Sequence, residues 1–389
     1  MIAPRAGGNE VPRGRRRRAG LAAALLTAGA AAMLSACVAT SGAAATPSGT
    51  VGLLLPESQT ARYEASDHPT FARVVSSRCP GCDVLYANAG QDVASQQEQA
   101  ESMLVRGADV LVLDAVDTVA AVGIVEEAHR LGAKVIAYDR FVDGADYYVS
   151  YDYEFLGYLM GSALAGALDP DVDPGLTTIE ARAAAGTTQG PGVLLVQGAV
   201  TDPNSRAIAD GAHRALEGTD IDVLAEYHTP DWSPDKATEW VEAMLTRYRG
   251  QVDGILAASD GVAGGAVAAA KAAGLDPVPP TTGQDGELAA VQRIVAGDQY
   301  MTIYKATDQQ AATAAELAVR VLRGQDPRTT AVTDGVPTLL LAPRAVGADD
   351  IEHVIVDGHV YTADQICTPS YRAACEARGL VGGTQEEQG

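Results

Sequence analysis

From Val51 onward the chain alternates short apolar runs with helical stretches, and this alternation constrains the fold more than any other feature. The runs VGLLLP, DVLYANA, DVLVLD, KVIAYD and YYVSYD are short and rich in Val, Leu, Ile and Tyr, as buried strands are. Helical patterns lie between them, over 94–106 with Gly107 as a stop and over 118–130 with Gly132 just beyond. A second series follows: GVLLVQG, VLAEYH, GILAAS, TTGQD and MTIYK, with helices over 205–216, 234–248 and 262–273. Repeated strand–helix alternation implies an α/β fold of parallel sheets with helices on both faces, and two such series imply two Rossmann-like lobes. Aromatic residues at 5% beside 41 Gly suit tightly packed helix-on-sheet layers better than a β-sandwich. Residues 169–190 are polar and rich in Pro and Gly, interrupt the pattern and read as a surface excursion.

The N-terminus carries arginines at 15–18, an Ala/Leu-rich run over 19–34 and small residues before Cys37. That order is an export signal. The sequence Leu34-Ser35-Ala36-Cys37 resembles a bacterial lipoprotein box, in which the cysteine becomes the lipidated first residue of the mature chain. The expected organisation is a signal peptide over 1–36, then a lipidated Cys37 with a flexible small-residue tether to residue 50. The protein would then work outside the cytoplasm, anchored to the outer face of the cell membrane. The apolar run is short for a membrane span, and no later segment is long and apolar enough to span. The arginines fit either the general or the twin-arginine export route. The net charge is −22; the first 36 residues hold six Arg and one Glu, so their removal takes it to −27. A surface this acidic repels nucleic acid.

Four cysteines remain after Cys37. Cys79 and Cys82 form Cys-Pro-Gly-Cys, and Cys367 and Cys375 close a second short loop. An even number in an oxidising compartment implies two local disulfides. A CxxC pair also suits a thioredoxin-like redox site or half a zinc site. Here a strand-like run follows the pair where a redox motif would want a helix N-terminus, and no His or Cys pair sits nearby at zinc spacing.

Ligands on open parallel sheets bind beyond the carboxyl ends of the strands. The residues there are 56–63, Asp114, Asp139, Arg140, Asp152, 202–204, Trp232, Ser259, Asp260, Asp285 and Lys305. Asp, Asn, Arg and Lys serve several hydroxyls at once, and Tyr and Trp cover an apolar sugar face. Each also has a plainer reading. Asp152 and Asp260 open strong helices and read as N-caps. Asp285, before Gly286-Glu287-Leu288, fits a cap and a ligand contact equally. Asp139-Arg140 is either a surface turn or a pocket edge. No phosphate loop, G-x-S-x-G elbow or H-E-x-x-H motif is present, and the six histidines read as surface residues, so no cofactor, metal or catalytic role is expected.

In order and spacing, VIAYDR (135–140), YVSYD (148–152), the Asp202/Asn204 loop, DWSP (231–234), ASDGVAGGA (258–266), TGQDGELAAVQRIVAGDQYMTIYK (282–305) and LRGQDP (322–327) resemble the periplasmic sugar-binding proteins of ABC importers, in particular the xylose-binding branch. The resemblance runs from about 51 to 358. It implies a type I binding-protein fold with a three-segment hinge, the crossings falling near 150–152, after MTIYK, and before the last strands. It assigns 51–151 plus 305–328 to the N-terminal lobe, 152–304 plus 329–366 to the C-terminal lobe, and 367–389 to a tail. It implies that Arg62, Asp139, Arg140, Asn204, Asp285 and Lys305 bond sugar oxygens while Tyr63 and Trp232 enclose the ring. Ser259 stands where the family has Asn before Asp, and Tyr63 where it has Trp. The implied function is capture of a monosaccharide, xylose or a related pentose or hexose, by a monomer that delivers it to an ABC permease. A sugar sensor docking on a membrane receptor would need the same site. A glycosidase would need a proton donor, which an Asp139/Asp285 pair beside Arg140 and Lys305 does not supply.

Overall fold

The computed structural model describes residues 48–168 and 190–381. The export signal, Cys37, most of the tether, nearly all of the 169–190 excursion and the end of the tail lie outside the described residues.

The first lobe is built on strands β1 (Ser48–Leu55), β2 (Gly81–Asn88), β3 (Val110–Leu113), β4 (Lys134–Tyr138) and β5 (Tyr147–Tyr151). They pair in parallel in the order β2-β1-β3-β4-β5. β3 is buried along its whole length, as a parallel strand covered on both faces should be. Successive side chains point to opposite faces. Leu53 and Leu55 of β1 therefore join one core with Phe71 and Val75 of α1 (His68–Arg78). Leu54 joins the other, with Leu104 of α2 (Val93–Val105) and Ile124 of α3 (Val122–Arg130). α3 starts later than its sequence pattern because Asp117 accepts from the Val119 and Ala120 amides and holds a turn there. The π-helical turn Tyr63–Asp67 and α1, which runs on from it, were not legible in the sequence pattern.

After β5 the chain crosses into α4 (Tyr153–Leu168), whose start Asp152 caps by accepting from the Phe155 amide at 2.9 Å. The second lobe continues as β6 (Gly192–Gln197), α5 (Pro203–Leu216), β7 (Asp222–His228), α6 (Pro234–Arg247), β8 (Gly254–Ala257), α7 (Asp260–Ala272), β9 (Gln284–Asp285), α8 (Leu288–Ala296) and β10 (Met301–Tyr304). β7, β6 and β8 form one parallel ladder, and β9 and β10 another. Residues 280–283 link the two ladders, with Ile255 donating to the Pro280 carbonyl, Thr282 to Ile255, and Ile303 to Gly283. The strand order β7-β6-β8-β9-β10 thus repeats that of the first lobe. The join between β8 and β9 is a single bridge, Ile255 to Thr281. α4 and α5 meet backbone to backbone: a Cβ on Gly157 would lie 2.0 Å from the Ile208 carbonyl oxygen, and one on Gly211 1.9 Å from that of Glu154.

The second crossing returns the chain to the first lobe, where α9 (Thr307–Leu322) packs Ala314, Leu317 and Ala318 into the α1 core. The third crossing departs from the expected lobe boundaries. Strands β11 (Ala331–Thr333) and β12 (Val336–Leu341) belong to the first sheet, not to the second lobe. β5 would otherwise leave a parallel edge open, and Thr338–Leu341 pair with Tyr148–Tyr151 along it. Only then does the chain cross to β13 (Arg344–Gly347), antiparallel to β10. The tail packs on the second lobe rather than trailing from it. Cys367 and Cys375, joined by a disulfide, share an apolar cluster with Val291 and Ile294 of α8. Cys79, at the end of α1, and Cys82, in β2, are likewise joined. No helix among the described residues is long and apolar enough to cross a membrane.

Candidate ligand-binding site

The carboxyl ends of the two sheets face each other, and the segments leaving those strands supply one pocket. Arg62 and Tyr63 follow β1, Asp139 and Arg140 follow β4, and Asn204 opens α5 after β6. Trp232 follows β7, Ser259 follows β8, Asp285 ends β9 and Lys305 follows β10. All nine line the pocket. So do Tyr153 and Asp202, and each of these eleven side chains is buried.

Asp139 organises the first-lobe side. Its backbone is left-handed at φ 62°, held there by three donors to its carbonyl: Tyr148 Oη at 3.0 Å, Ser150 Oγ at 2.6 Å and, from the second lobe, Asn204 Nδ2 at 3.0 Å. Its Oδ1 accepts from Arg62 Nη1 at 3.0 Å, Tyr153 Oη at 2.7 Å and Gln310 Nε2 at 3.0 Å. No donor among the described residues reaches Oδ2, which leaves that oxygen to the pocket. Burial works against the Asp139 carboxylate, but Arg62, Lys305 and the bonds from Tyr153 and Gln310 outweigh it and hold the group well below the usual carboxylate range.

Arg62 is fixed by a two-point bond to Asp67, with Nε to Oδ2 at 3.0 Å and Nη2 to Oδ1 at 2.8 Å, and by Gln310 Oε1 at 2.9 Å. Arg140 is a first-lobe cation facing both lobes. Its Nη1 donates to the Ala115 carbonyl at 2.7 Å, and its Nε lies 3.5 Å from Asp114 and 2.8 Å from Asp202 of the second lobe. The Asp202 contact is off the N–H line, so it is an ion pair without a hydrogen bond. Burial raises both Asp114 and Asp202, with Arg140 opposing the rise.

Lys305 stands at the second crossing and joins the two sides. Its Nζ donates to Tyr153 Oη at 2.8 Å and lies 3.1 Å from Asp285 and 3.7 Å from Asp139. Asp285 is no cap: α8 opens at Glu287, while Asp285 has φ 108° and turns its carboxylate to Lys305. Asp139-Arg140 is a pocket edge, not a surface turn. The cap expected at Asp260 falls instead to Ser259, whose Oγ accepts from the Val262 amide at 3.2 Å. Ser259 has the extended backbone that a cap needs, and Asp260 is already inside the helix. Asp260 is bound by Gln299, Thr302 and the Glu287 amide.

Residues beyond the sequence reading complete the site. Tyr153 bridges Asp139 and Lys305; it stands next to Asp152, whose cap signal is the stronger local one. Asp67 and Gln310 hold Arg62 from outside the pocket, and no spacing pattern links 62, 67 and 310.

Two parallel-sheet lobes joined by three crossings, with charged and aromatic side chains from both around one pocket, define a two-lobed protein that encloses a small polar ligand. The chain belongs to the periplasmic binding protein domain family, which residues 51–326 match. It is 32% identical over 316 residues to the D-xylose-binding periplasmic protein of Escherichia coli, covering 79% of this chain and 89% of that one. It is 29% identical over 363 residues to the multiple sugar-binding periplasmic receptor ChvE of Rhizobium radiobacter, covering 87% and 98%. A solved solute binding protein of an ABC transporter from Clostridium phytofermentans, with bound β-D-glucose, matches with a TM-score of 0.70 at 24% identity, covering 82% of this chain and 99% of that one. That likeness shows the type I fold. The relatives are named as binding proteins and a receptor, not as enzymes.

Proposed function

We propose that the protein captures a monosaccharide outside the cytoplasm, xylose or a related pentose or hexose, by closing its lobes on it, and delivers it to an ABC permease. The observation that carries this reading is the set of polar groups around the pocket. Each sugar hydroxyl both donates and accepts, so a site for several of them needs alternating acceptors and donors. Asp139 and Asp285 accept, Arg62, Arg140 and Lys305 donate, and Asn204 does both. Tyr63 and Trp232 offer flat apolar surface for the C–H faces of a ring. Bonds to charged groups contribute about 1.5–3 kcal/mol each, before the cost of ordering is taken off.

The names of the relatives favour a sugar, since two are D-xylose-binding proteins and one a multiple sugar-binding receptor. The ionised Asp139, with Lys305 beside Asp285, favours binding over glycoside hydrolysis, which needs a protonated carboxyl. Lobe closure would shift toward the bound form because the ligand meets groups of both lobes only when they are closed. The protein would act as a monomer, held near its permease by a lipid on Cys37 and the tether that follows.

Titration with a panel of pentoses and hexoses, read by tryptophan emission and thermal shift, tests the reading. Trp232 and Trp240 are the two tryptophans of the chain, and Trp232 lines the pocket. A saturable response to at least one monosaccharide is expected; silence across the panel would refute it. Cys37→Ser should release the protein from the membrane fraction of cells, and unchanged membrane association would refute the anchor.

A further inference from the structure

We propose that Gly198 is a positioning residue for the aromatic wall of the pocket: it seats the Trp232 ring on bare backbone and so sets the thickness of ligand that the pocket admits. The proposal rests on the reading that a sugar ring lies against Trp232. A Cβ built on Gly198 would lie 2.2 Å from Cη2, 2.2 Å from Cζ2 and 2.4 Å from Cε2 of Trp232. Three consecutive ring atoms at nearly equal distance place that point over the face of the six-membered ring; an approach in the ring plane would favour one atom. Gly198 therefore backs one face of the indole. Trp232 lines the pocket and Gly198 does not, which fits a pocket that meets the ring away from the face Gly198 backs.

Its φ lies outside the left-handed region, so any residue could adopt the backbone, and the three atoms nearest to an added Cβ all belong to the Trp232 ring. Trp232 is itself held in a left-handed conformation, at φ 58°. The two segments are tied together, because the Thr229 amide and hydroxyl both donate to the Gln197 carbonyl, at 3.0 and 2.9 Å. With Gln197 also paired to His228 in the β6–β7 ladder, the backbone under the ring has little room to retreat. Carbon–carbon contact is comfortable at about 3.5–4.0 Å, so a methyl at 198 must drive the ring roughly 1.5 Å toward the ligand.

The test is Gly198→Ala, measured by sugar titration and by Trp232 emission in a Trp240→Phe background. We expect at least a tenfold loss of affinity for the sugar that the unaltered protein binds, and a shifted emission without ligand. In Trp232→Phe, whose shorter ring does not reach the Cζ2 and Cη2 positions, the same alanine should change affinity less than threefold. A loss below twofold with Trp232 present, or an equal loss in both backgrounds, overturns the proposal. If Gly198→Ala fails to fold, recovery of cooperative unfolding by adding Trp232→Phe supports the ring clash, and failure of both refutes it. Should the unaltered protein bind no monosaccharide, the sugar reading fails by itself. Ligand-free emission then decides the seat: a shift supports it and an unchanged spectrum overturns it.

Discussion

Asp202→Asn asks whether the charge pair that Asp202 makes with Arg140 across the lobes sets the closed state. Asp202 caps α5 through Oδ1, which accepts from the Asn204 amide at 2.9 Å, while Oδ2 faces Arg140 of the first lobe at 2.8 Å. Asparagine caps a helix as well as aspartate does, so the substitution keeps the helix start and removes the charge. In the closed form Arg140 is left with the Ala115 carbonyl and with Asp114 at 3.5 Å. Breaking a buried pair costs about 3–5 kcal/mol, and the remaining carboxylate lowers this to about 2–3 kcal/mol. On the proposed lobe closure, Asp202 would face water in an open form, so the penalty would fall on closure and appear as affinity. At about 1.4 kcal/mol per decade, binding should weaken roughly 30- to 150-fold. Calorimetric titration measures this, with ligand-free thermal unfolding as the control. The weakening should persist at high salt, because both groups are buried beyond effective screening. An affinity within threefold of the unaltered protein would refute the reasoning. So would a drop in ligand-free stability large enough to account for the loss, since Asp202 would then matter to the lobe and not to its closure.

Asp285→Ala leaves Lys305 buried with Asp139 as its nearest carboxylate, at 3.7 Å, and should weaken sugar binding by about 3 kcal/mol, roughly a hundredfold; unchanged titration curves would show that Asp285 only shapes the turn after β9. Glu287 offers a pH readout. Burial, then Asp260 and Asp285, push its carboxyl from 4.5 up to about 8, against the pull of Arg293 and the Ala61 amide. The folded-state value is raised, so the stability that this group contributes is complete below about pH 4.5 and is lost as pH rises through about 8. Thermal unfolding followed from pH 5 to 9 should show that decline, and Glu287→Gln, which mimics the protonated form, should flatten it. A decline of the same size in the variant would assign the effect to another group.

What the sequence made legible divides along a physical line. Strands buried on both faces must be apolar throughout, so VLVL and its counterparts could be recognised without the fold. The positions just past the strand ends include the nine expected contacts, all of which line the pocket, but also Asp114, Asp152 and Asp260, which do not; the resemblance, not the strand ends, separated the two sets. Local signals fail where their competitors are also local. Ser259 and Asp260 are both good caps, and only backbone conformation separates them. The stretch 63–78 buries Tyr63, Asp67, Phe71, Val74 and Val75 at helical spacing, but the second of these is a carboxylate and Pro69 interrupts the run, so the apolar pattern from which a helix is read is broken. Other features have no local signal at all. VPTLLL pairs with β5 because that edge is open, which depends on residues nearly 200 positions earlier. Asp139 is the clearest instance. Its adjacency to Arg140 was visible in the sequence, yet what it offers a ligand is decided by residues 62, 153 and 310, which saturate Oδ1 from three elements and leave Oδ2 toward the pocket. A sugar contact there is thus a property of the assembled lobes. For the same reason, removing Gln310 or Tyr153 should alter recognition even though neither was marked out by its neighbours in the chain.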